Sequence, residues 1–348
     1  MARVAGRAAP VTLRDVARLA EVHPGTVSRA LNEDTRRLVN AETARRVLEA
    51  AEALGYRPNP IARGLKTNRS YTIGVLVPDL TNPLFPPIVR GIQDRLEQAG
   101  YTPLIANTDN DPERERNDFD AMRARQVDGV IAATARLDPA DELLEAELPV
   151  VYVLRRHENG DAPSATADDR HGCELAVEHL VELGHKRIAH LGGPIGVSTG
   201  RHRHQGFIAA MERAGLEVAP DLVRFGDAFT EPEGRRLSDE LLASGAEVTA
   251  IVAGNDLMAL GCYDGLTARG LACPEGMSVV GFNDMPFSER FNPPLTTVGI
   301  PQYEIGCAAA ELLLERLQDP AADARQITLA PRLVVRGSTG AAPGSPRA

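Results

Sequence analysis

The sequence predicts an all-α helix-turn-helix head at the N-terminus, followed by an α/β core of two lobes, each a doubly wound parallel sheet. Two observations lead to this prediction. Residues 1–66 hold 12 Lys and Arg against 7 Asp and Glu, although the chain of 348 residues has a net charge of −10. After residue 70, short β-branched apolar runs alternate with helical patterns. A basic end on an acidic body is typical of a nucleic-acid-binding head, and the alternation indicates parallel sheets covered by helices.

The head contains three predicted helices. Thr12 caps the first, with Asp15 three residues later, and Pro24 suits the first position of the second. Asn40 caps a third helix over residues 41–54, which Gly55 ends. The residues expected to face inward in the second and third helices are Val27, Ala30, Leu31, Val47, Leu48, Ala51 and Leu54.

The outward face of the second helix indicates what the head binds. Thr26, Ser28 and Arg29 are side chains that contact phosphates and base edges, and they stand where a recognition helix needs them. A small helical bundle or a protein-binding domain is the alternative that the pattern leaves open. The segment YRPNPIARGLK (56–66) follows, in which two prolines break the third helix. Residues 61–66 are either a short basic helix that forms only on DNA or an ordinary flexible linker.

The body carries at least seven predicted strands, more than one compact sheet accommodates. We therefore expect two lobes facing each other across a cleft, where the carboxyl ends of the strands meet. The predicted strands are 71–78, 102–107, 127–133, 148–154, 187–193, 249–254 and 277–282, and the predicted helices are 87–99, 112–125, 171–183, 203–214, 232–244 and 257–269.

Catalytic and cofactor signatures are absent from the sequence. It has no GxxxxGK[ST] motif and no GxGxxG after a strand, so a nucleotide cofactor lacks its phosphate cradle. GVSTG (196–200) matches a hydrolase pattern, but no histidine follows His204 to complete the catalytic set. Four separated cysteines and eight histidines form no metal-ligand pattern. We expect no enzyme activity, no cofactor, no metal and no membrane segment, and, without a secretory signal, a cytoplasmic location.

Polar and aromatic side chains recur where predicted strands end. Amides, carboxylates and guanidinium forks beside an aromatic face suit a polyhydroxylated solute. Each could singly be a helix cap or a turn residue, but their recurrence favours a binding cleft. The set is Asp79, Asn82, Phe85, Arg155, Arg156, Arg201, Arg203, Asn255, Asp256, Asn283 and Asp284.

With these features, the chain resembles the lactose-repressor (LacI/GalR) family of transcription regulators. The blocks VTLRDVARLAEV, TVSRALN and YRPNPIARGLK match the DNA-binding head, and DLTNPLF, VDGVIAA, AIVAGNDLMALG, SVVGFNDM and LVVRGST match the core. The resemblance implies a dimeric repressor, with a core similar to periplasmic sugar-binding proteins, that binds palindromic operator DNA and a small sugar-like effector between its lobes. It places DNA contacts on Thr12, Pro24, Gly25, Thr26, Ser28, Arg29, Asn32, Tyr56, Asn59, Ala62, Arg63 and Leu65, the last as a minor-groove wedge. It places effector contacts on Asn82, Phe85, Arg155, Thr199, Arg203, Phe229, Asn255 and Asn283.

The sequence departs from the family in two places. His23 stands where members commonly have serine, and Pro24 and Gly25 replace larger polar residues, so base reading rests more on Thr26, Arg29 and the hinge. Leu154 stands where members often have an acidic residue that accepts sugar hydroxyls. With Arg155 beside it and Arg203 in the cleft, we expect a sugar acid or sugar phosphate, unless Arg155 points to solvent or pairs with Asp128 or Glu158.

A solute-binding protein without a regulatory role is the alternative to a repressor. The sequence shows no C-terminal leucine heptad, which favours dimers over tetramers.

The sequence also predicts the boundaries of the domains. We expect a disordered tail over residues 1–10, the head over 11–57, a hinge helix and linker over 58–69, the core over 70–340 and a disordered tail over 341–348. Within the core, the N-lobe is expected at about 70–160 plus 293–325 and the C-lobe at about 161–292 plus 326–340.

Overall fold

The computed structural model describes residues 11–56, 69–137, 143, 148–157, 162–321 and 323–343. The chain divides into two compact units, Met1–Tyr71 and Thr72–Ala348, which are taken in turn. In the described part of the chain, no helix combines the length and the apolar character that a membrane crossing requires.

The first unit is the helical head. Its helices are α1 (Leu13–Leu19), α2 (Pro24–Leu31), α3 (Glu33–Arg36) and α4 (Ala41–Ala53). The predicted caps are confirmed: Asp15 Oδ2 accepts the Thr12 N–H at 2.9 Å, and Asn40 Oδ1 accepts the Glu42 N–H at 2.9 Å. Gly55 has a φ of +62°, the left-handed conformation that ends a helix without steric cost.

A small apolar core holds these helices together. Val16 from α1, Val27 and Ala30 from α2, and Val47 and Ala51 from α4 are all buried in it. The prediction that Leu48 faces inward is wrong, because 39% of its surface is exposed. Val47 and Ala51 lie four residues apart on the buried face of α4, and Leu48 is turned away from that face by about 100°.

The second unit begins with the N-terminal lobe, which has a six-stranded sheet paired in parallel throughout. The strand order is β11-β5-β4-β3-β1-β2. Its strands are β1 (Thr72–Val77), β2 (Thr102–Asn107), β3 (Gly129–Ala132), β4 (Val150–Val153), β5 (Ser164–Ala167) and β11 (Gln326–Leu329), and its helices are α5 (Phe85–Gln98), α6 (Pro112–Ala124) and α11 (Gln302–Gln318).

The C-terminal lobe has a second six-stranded sheet, in the order β12-β10-β9-β8-β6-β7, in which only the β10–β12 pair is antiparallel. Its strands are β6 (Ile188–Gly192), β7 (Val223–Phe225), β8 (Ala250–Ala253), β9 (Ser278–Asn283), β10 (Thr296–Gly299) and β12 (Arg332–Val334), and its helices are α7 (Asp169–Glu182), α8 (Ser198–Arg213), α9 (Glu231–Ala243) and α10 (Asp256–Ala268). The predicted class, a helix-turn-helix head with a two-lobed parallel α/β core, is confirmed.

The predicted lobe boundaries need correction. Ser164–Ala167 and Gln326–Leu329 pair with each other in the N-terminal sheet, and Thr296–Gly299 lies in the C-terminal sheet. The sequence shows that a segment is a strand, but the sheet it joins depends on long-range pairing. The chain therefore crosses between lobes at Asp168, at Ile300-Pro301 and at Ala330-Pro331.

The prediction of a disordered tail from residue 341 is wrong for its first residues. Ala342 is 6% exposed, and its N–H donates to the Leu183 carbonyl at 2.9 Å. Residues 344–348 and 1–10 lie outside the described residues.

Candidate functional site

The head presents one polar face of α2 outward. Val27 and Ala30 are buried, whereas Arg29 is exposed and Thr26 and Ser28 are partly exposed. This separation follows from helical periodicity, since apolar residues three apart share the inner face. The face therefore offers two hydroxyls and a guanidinium from one rigid element.

The ends of α2 are fixed by residues around it. The His23 imidazole accepts the Gly25 N–H through Nδ1 at 3.0 Å, so it acts as the N-cap in place of a hydroxyl. At the other end, the Thr35 hydroxyl and the Arg36 guanidinium donate to the carbonyls of Arg29 and Ala30. Sequence reasoning missed this second cap, because the short helix that carries Thr35 and Arg36 has no periodic signal.

The other predicted DNA contacts fall into three groups. The Thr12 hydroxyl donates to Asp15 at 2.6 Å, and Tyr56 is partly buried against the head core. Asn32 follows α2 as its C-cap, while Pro24 and Gly25 form its first turn. The predicted hinge contacts Asn59, Ala62, Arg63 and Leu65 lie outside the described residues.

In the second unit, a cavity of about 650 Å³ lies between the two lobes, where the strands of both sheets end. All eight side chains predicted to contact an effector line it: Asn82, Phe85, Arg155, Thr199, Arg203, Phe229, Asn255 and Asn283.

Arg203 is the centre of the C-lobe wall. Its Nε donates to Asp169 at 2.8 Å, its Nη1 to the Gly254 carbonyl at 2.7 Å and its Nη2 to Asn283 at 3.3 Å. The guanidinium carbon lies 3.7 Å from the centre of the Phe282 ring, and only 5% of the residue is exposed. Burial raises the pKa of Asp169, and the Arg203 charge opposes that shift. The ion pair fixes the guanidinium at the cavity surface.

The position of Arg203 within its helix corrects a prediction. We expected the helix to start at residue 203, but α8 begins at Ser198, so Arg203 lies in its second turn. The loop before this helix ends at Val197, which is the N-cap. A Cβ at Gly200 would lie 2.0 Å from the Pro194 carbonyl oxygen, and glycine there lets the first turn pack against the loop.

Two asparagines and a threonine complete the C-lobe wall. Asn255 caps α10 by accepting the Met258 N–H at 2.8 Å, and its amide donates to the Phe229 carbonyl at 3.2 Å. Asn283 adopts a φ of +114°, a strained conformation that turns its side chain towards Arg203. The buried Thr199 hydroxyl has no hydrogen-bond partner among the described residues.

The N-lobe wall is built differently. Phe85 opens α5 and is 5% exposed, and Asn82 accepts the Leu84 N–H at 3.0 Å. Arg136 donates to the Asn110 carbonyl at 2.7 Å, and Arg155 lies 3.4 Å from the side-chain oxygen of the same Asn110. Burial, reinforced by the Arg136 charge, lowers the pKa of Arg155 to about 10.

Arg155 points into the cavity and does not pair with Asp128. Asp128 precedes β3, whereas Arg155 follows β4, so the two residues lie at opposite ends of neighbouring parallel strands. Glu158 lies outside the described residues. Sequence reasoning missed Arg136, although the rule that found Arg155 applies to it, since Arg136 follows the carboxyl end of β3.

Four of the predicted strand-end residues do not line the cavity. Asp256 is buried and accepts the Met285 N–H at 2.7 Å, and burial raises its pKa to about 7. Asp284 pairs with Arg336 at 2.7 Å. Arg156 and Arg201 are also absent from the lining, and the Arg156 N–H donates to the Ser198 hydroxyl of the GVSTG motif at 3.0 Å. In the described ranges, no group of three or more His, Cys, Asp or Glu is placed to hold a metal ion.

Two family models match the chain. The model described as bacterial regulatory proteins, lacI family, covers residues 12–59, and the periplasmic binding protein-like domain covers residues 177–339. These ranges fall on the head and on much of the two-lobed unit.

Individual proteins match over almost the full length. The ribose operon repressor of Halalkalibacterium halodurans is 35% identical over 328 residues, which are 94% of this chain and 97% of that protein. The HTH-type transcriptional repressor CytR of Escherichia coli is 35% identical over 335 residues, 95% of this chain and 97% of that one. Among solved structures, the Lac repressor dimer bound to operator and the anti-inducer ONPF aligns with a TM-score of 0.84 at 31% identity, covering 96% of this chain and all of that one.

Proposed function

Since the chain belongs to the lacI family of bacterial transcription regulators, we propose that it is a repressor whose head binds an operator and whose interlobe cavity binds a sugar-like effector. The relatives named above are a ribose operon repressor and an HTH-type transcriptional repressor, and one solved neighbour is bound to operator DNA.

One observation carries the DNA-binding half of the proposal, the outward polar face of α2. A recognition helix enters the major groove, where an arginine reads guanine and hydroxyls contact phosphates or bases. Arg29 is exposed on this face and partly held by the 3.2 Å bond from its Nε to the Gly25 carbonyl. The residues that bury the opposite face leave Arg29, Ser28 and Thr26 as the side chains available for contact.

The effector half of the proposal rests on the cavity. Its volume falls within the range of roughly 300–1,000 Å³ of small-molecule sites, and it lies at the carboxyl ends of two parallel sheets, where ligands of such folds bind. Asn82, Asn255 and Thr199 offer polar atoms for hydroxyl groups, and Phe85 and Phe229 offer apolar ring faces. A sugar has the same combination of hydroxyls and apolar C–H faces.

A homodimer follows from the proposed DNA contact. One head covers only one half-site, and two heads about one helical turn apart require a two-fold axis and a palindromic operator. The Lac repressor neighbour is described as a dimer on its operator.

The test of the DNA contact begins with an operator obtained by in vitro selection on the full chain. Arg29→Ala should weaken binding of that operator by about 1–3 kcal/mol in fluorescence anisotropy, because a bidentate base contact is lost. Arg45→Ala is the matched control, since it removes the same charge from the head at a residue that is exposed on α4 and paired with Glu42 and Glu49.

Equal losses for Arg29→Ala and Arg45→Ala would contradict the recognition-helix assignment, because they would indicate general electrostatics only. A chain that selects no DNA sequence but still binds sugars would be a solute-binding protein instead.

The hinge prediction is tested in the same assay, where Leu65→Ala should reduce operator affinity and DNA bending without changing sugar binding.

A further inference from the structure

Two arginines on the N-lobe wall of the cavity lie near each other without an ion-pair partner among the described carboxylates. Arg136 and Arg155 both contact Asn110, one through its backbone carbonyl and the other through its side chain. Neither guanidinium lies within ion-pair distance of a carboxylate of the described residues. Two like charges held together in a partly buried site oppose each other unless an anion binds between them.

The other charged groups of the cavity do not supply that anion. Asp109 is paired with Arg114, and Asp227 is exposed and belongs to the opposite lobe. Asp79 already accepts the N–H and the hydroxyl of Thr81, at 2.8 and 2.6 Å. Arg203, the third arginine of the cavity, is neutralised by Asp169. Arg136 and Arg155 are therefore the two guanidiniums of the cavity lining that form no ion pair with a described carboxylate.

The loop that carries Asn110 holds this arrangement in place. Asp109 and Asn110 both have left-handed φ angles, +52° and +58°, which aim the Asn110 carbonyl and side chain at the two guanidinium groups. Such backbone strain persists only where the surroundings fix it, and here the Asp109–Arg114 pair and the Arg136 bond do so. The Glu115 carboxylate opposes the lowering of the Arg155 pKa, and it accepts the Thr134 hydroxyl outside the cavity lining.

We propose that Arg136 and Arg155 form an anion subsite of the effector cavity, so that the effector is a sugar carrying a phosphate or carboxylate group. The inference rests on the proposed function and deepens it. The hydroxyls of the ligand contact the amides and the rings described above, and its anionic group displaces water between the two guanidiniums. A charge-assisted contact of this kind contributes more than a neutral hydrogen bond, which selects the charged sugar over its neutral parent.

Inorganic phosphate is the first probe, because the subsite alone should bind it. We expect phosphate, compared with chloride at equal ionic strength, to raise the melting temperature of the full chain. The increase should disappear in Arg136→Gln and Arg155→Gln. Arg123→Gln is the matched control, since it removes the same charge from an exposed position on α6 of the same lobe, and it should keep the increase. An equal increase in all four proteins would be the general salting effect of phosphate and would overturn the subsite.

Titration calorimetry then tests the selectivity. The wild type should bind D-ribose 5-phosphate or D-gluconate roughly ten- to a hundredfold more tightly than D-ribose, and each cavity variant should lose most of that ratio. Comparing D-ribose 5-phosphate with D-gluconate distinguishes phosphate from carboxylate as the anionic group of the effector. Tighter binding of neutral ribose than of every charged sugar, unchanged in Arg155→Gln, would overturn the inference.

A further readout separates failure of the subsite from failure of the proposed function. Arg155→Gln should melt at a higher temperature than the wild type in chloride, because it removes one of two mutually repelling charges. If the wild type shows no preference for charged sugars, while a neutral sugar still controls its binding to the operator, the subsite alone is refuted. Absence of operator binding in the wild type would refute the proposed function.

Discussion

Both walls of the interlobe cavity carry arginine, asparagine and phenylalanine side chains, but their arginines differ in how many partners they have within the protein. On the C-lobe wall, Arg203 has a carboxylate, a carbonyl, an amide and an aromatic ring as partners. On the N-lobe wall, Arg136 and Arg155 share one asparagine. An arginine in a cleft can therefore be part of the folded framework or be directed at a ligand, and its partners distinguish the two.

The difference separates stability from binding. A buried pair such as Arg203–Asp169 costs desolvation free energy when it forms, and breaking it leaves a buried charge without a partner. The pair therefore holds the guanidinium rigidly, with one face towards the cavity. The N-lobe arginines are only partly buried and form no ion pair with a described carboxylate, so we expect them to contribute less to folding than Arg203 does. Substitutions of the arginines on the two walls should consequently give opposite patterns, with a large stability loss for Arg203 and mainly affinity losses for Arg136 and Arg155.

The largest effect is expected from Arg203→Met. It leaves the Asp169 carboxylate buried without a partner and should reduce the free energy of unfolding by about 3–5 kcal/mol. Urea unfolding followed by circular dichroism measures this, since the chain has no tryptophan. The double variant Arg203→Met/Asp169→Leu should recover part of the loss, because it removes the stranded charge as well. If Arg203→Met costs no more than Arg155→Gln on the other wall, the contrast between the walls is refuted.

An intermediate effect is expected at acidic pH, through a buried histidine of the C-terminal lobe. His190 is buried, stacks on Phe207 at 4.9 Å between ring centres, and burial lowers its pKa to about 3. Nearby His204 and Arg203 further disfavour the protonated imidazole. Because the unfolded imidazole protonates near pH 6.5, this residue supports stability above that pH and loses its contribution as the pH falls towards 3.

Between pH 6.5 and pH 5 this single group should cost the wild type about 2 kcal/mol, and His190→Leu should lack that part of the pH dependence. The difference between the two proteins in urea unfolding at each pH isolates it from the other titrating groups. His171→Leu serves as the control, because the His171 side chain is half exposed. A wild type and a His190→Leu variant with parallel pH profiles would show that the His190 imidazole does not resist protonation in the folded chain.

The smallest effect is expected from Thr199→Val on the C-lobe wall. The Thr199 hydroxyl is buried without a partner among the described residues, so its replacement by a methyl group should change the free energy of unfolding by less than about 0.5 kcal/mol. Sugar affinity should fall by about 1 kcal/mol if the hydroxyl is used by the ligand. Calorimetry on the same preparations measures both. A stability loss as large as that of Arg203→Met would mean that this hydroxyl belongs to the framework.

The helices of the head were predictable from the sequence because their signals are local. Thr12, Asp15, Asn40 and Gly55 act within three or four residues of themselves, and the caps formed as expected. The failures there were equally local in cause. Leu48 was assigned to the inner face although Val47 already occupied it, and α3 is too short to have a periodic pattern.

The cavity was predictable in its location and less so in its chemistry. The rule that ligands bind at the carboxyl ends of parallel strands, with the resemblance, found eight lining residues. The rule does not say which charges neutralise each other, since Asp169 lies 34 residues from Arg203 and Asn110 lies 45 from Arg155. The sheet that β5, β10 or β11 would join was similarly beyond reach, because pairing between distant strands leaves no local trace.

The three crossings between the lobes have a mechanical consequence. Each connection contains one or two residues, Asp168, Ile300-Pro301 and Ala330-Pro331, and an extended residue spans at most about 3.6 Å. Three tethers this short prevent the lobes from sliding apart by more than about 7 Å and leave rotation as their main relative freedom. Proline, with its fixed φ, removes further torsional freedom from two of the tethers. A ligand that contacts both walls therefore changes mainly the angle between the two lobes, and the three tethers act as the hinge.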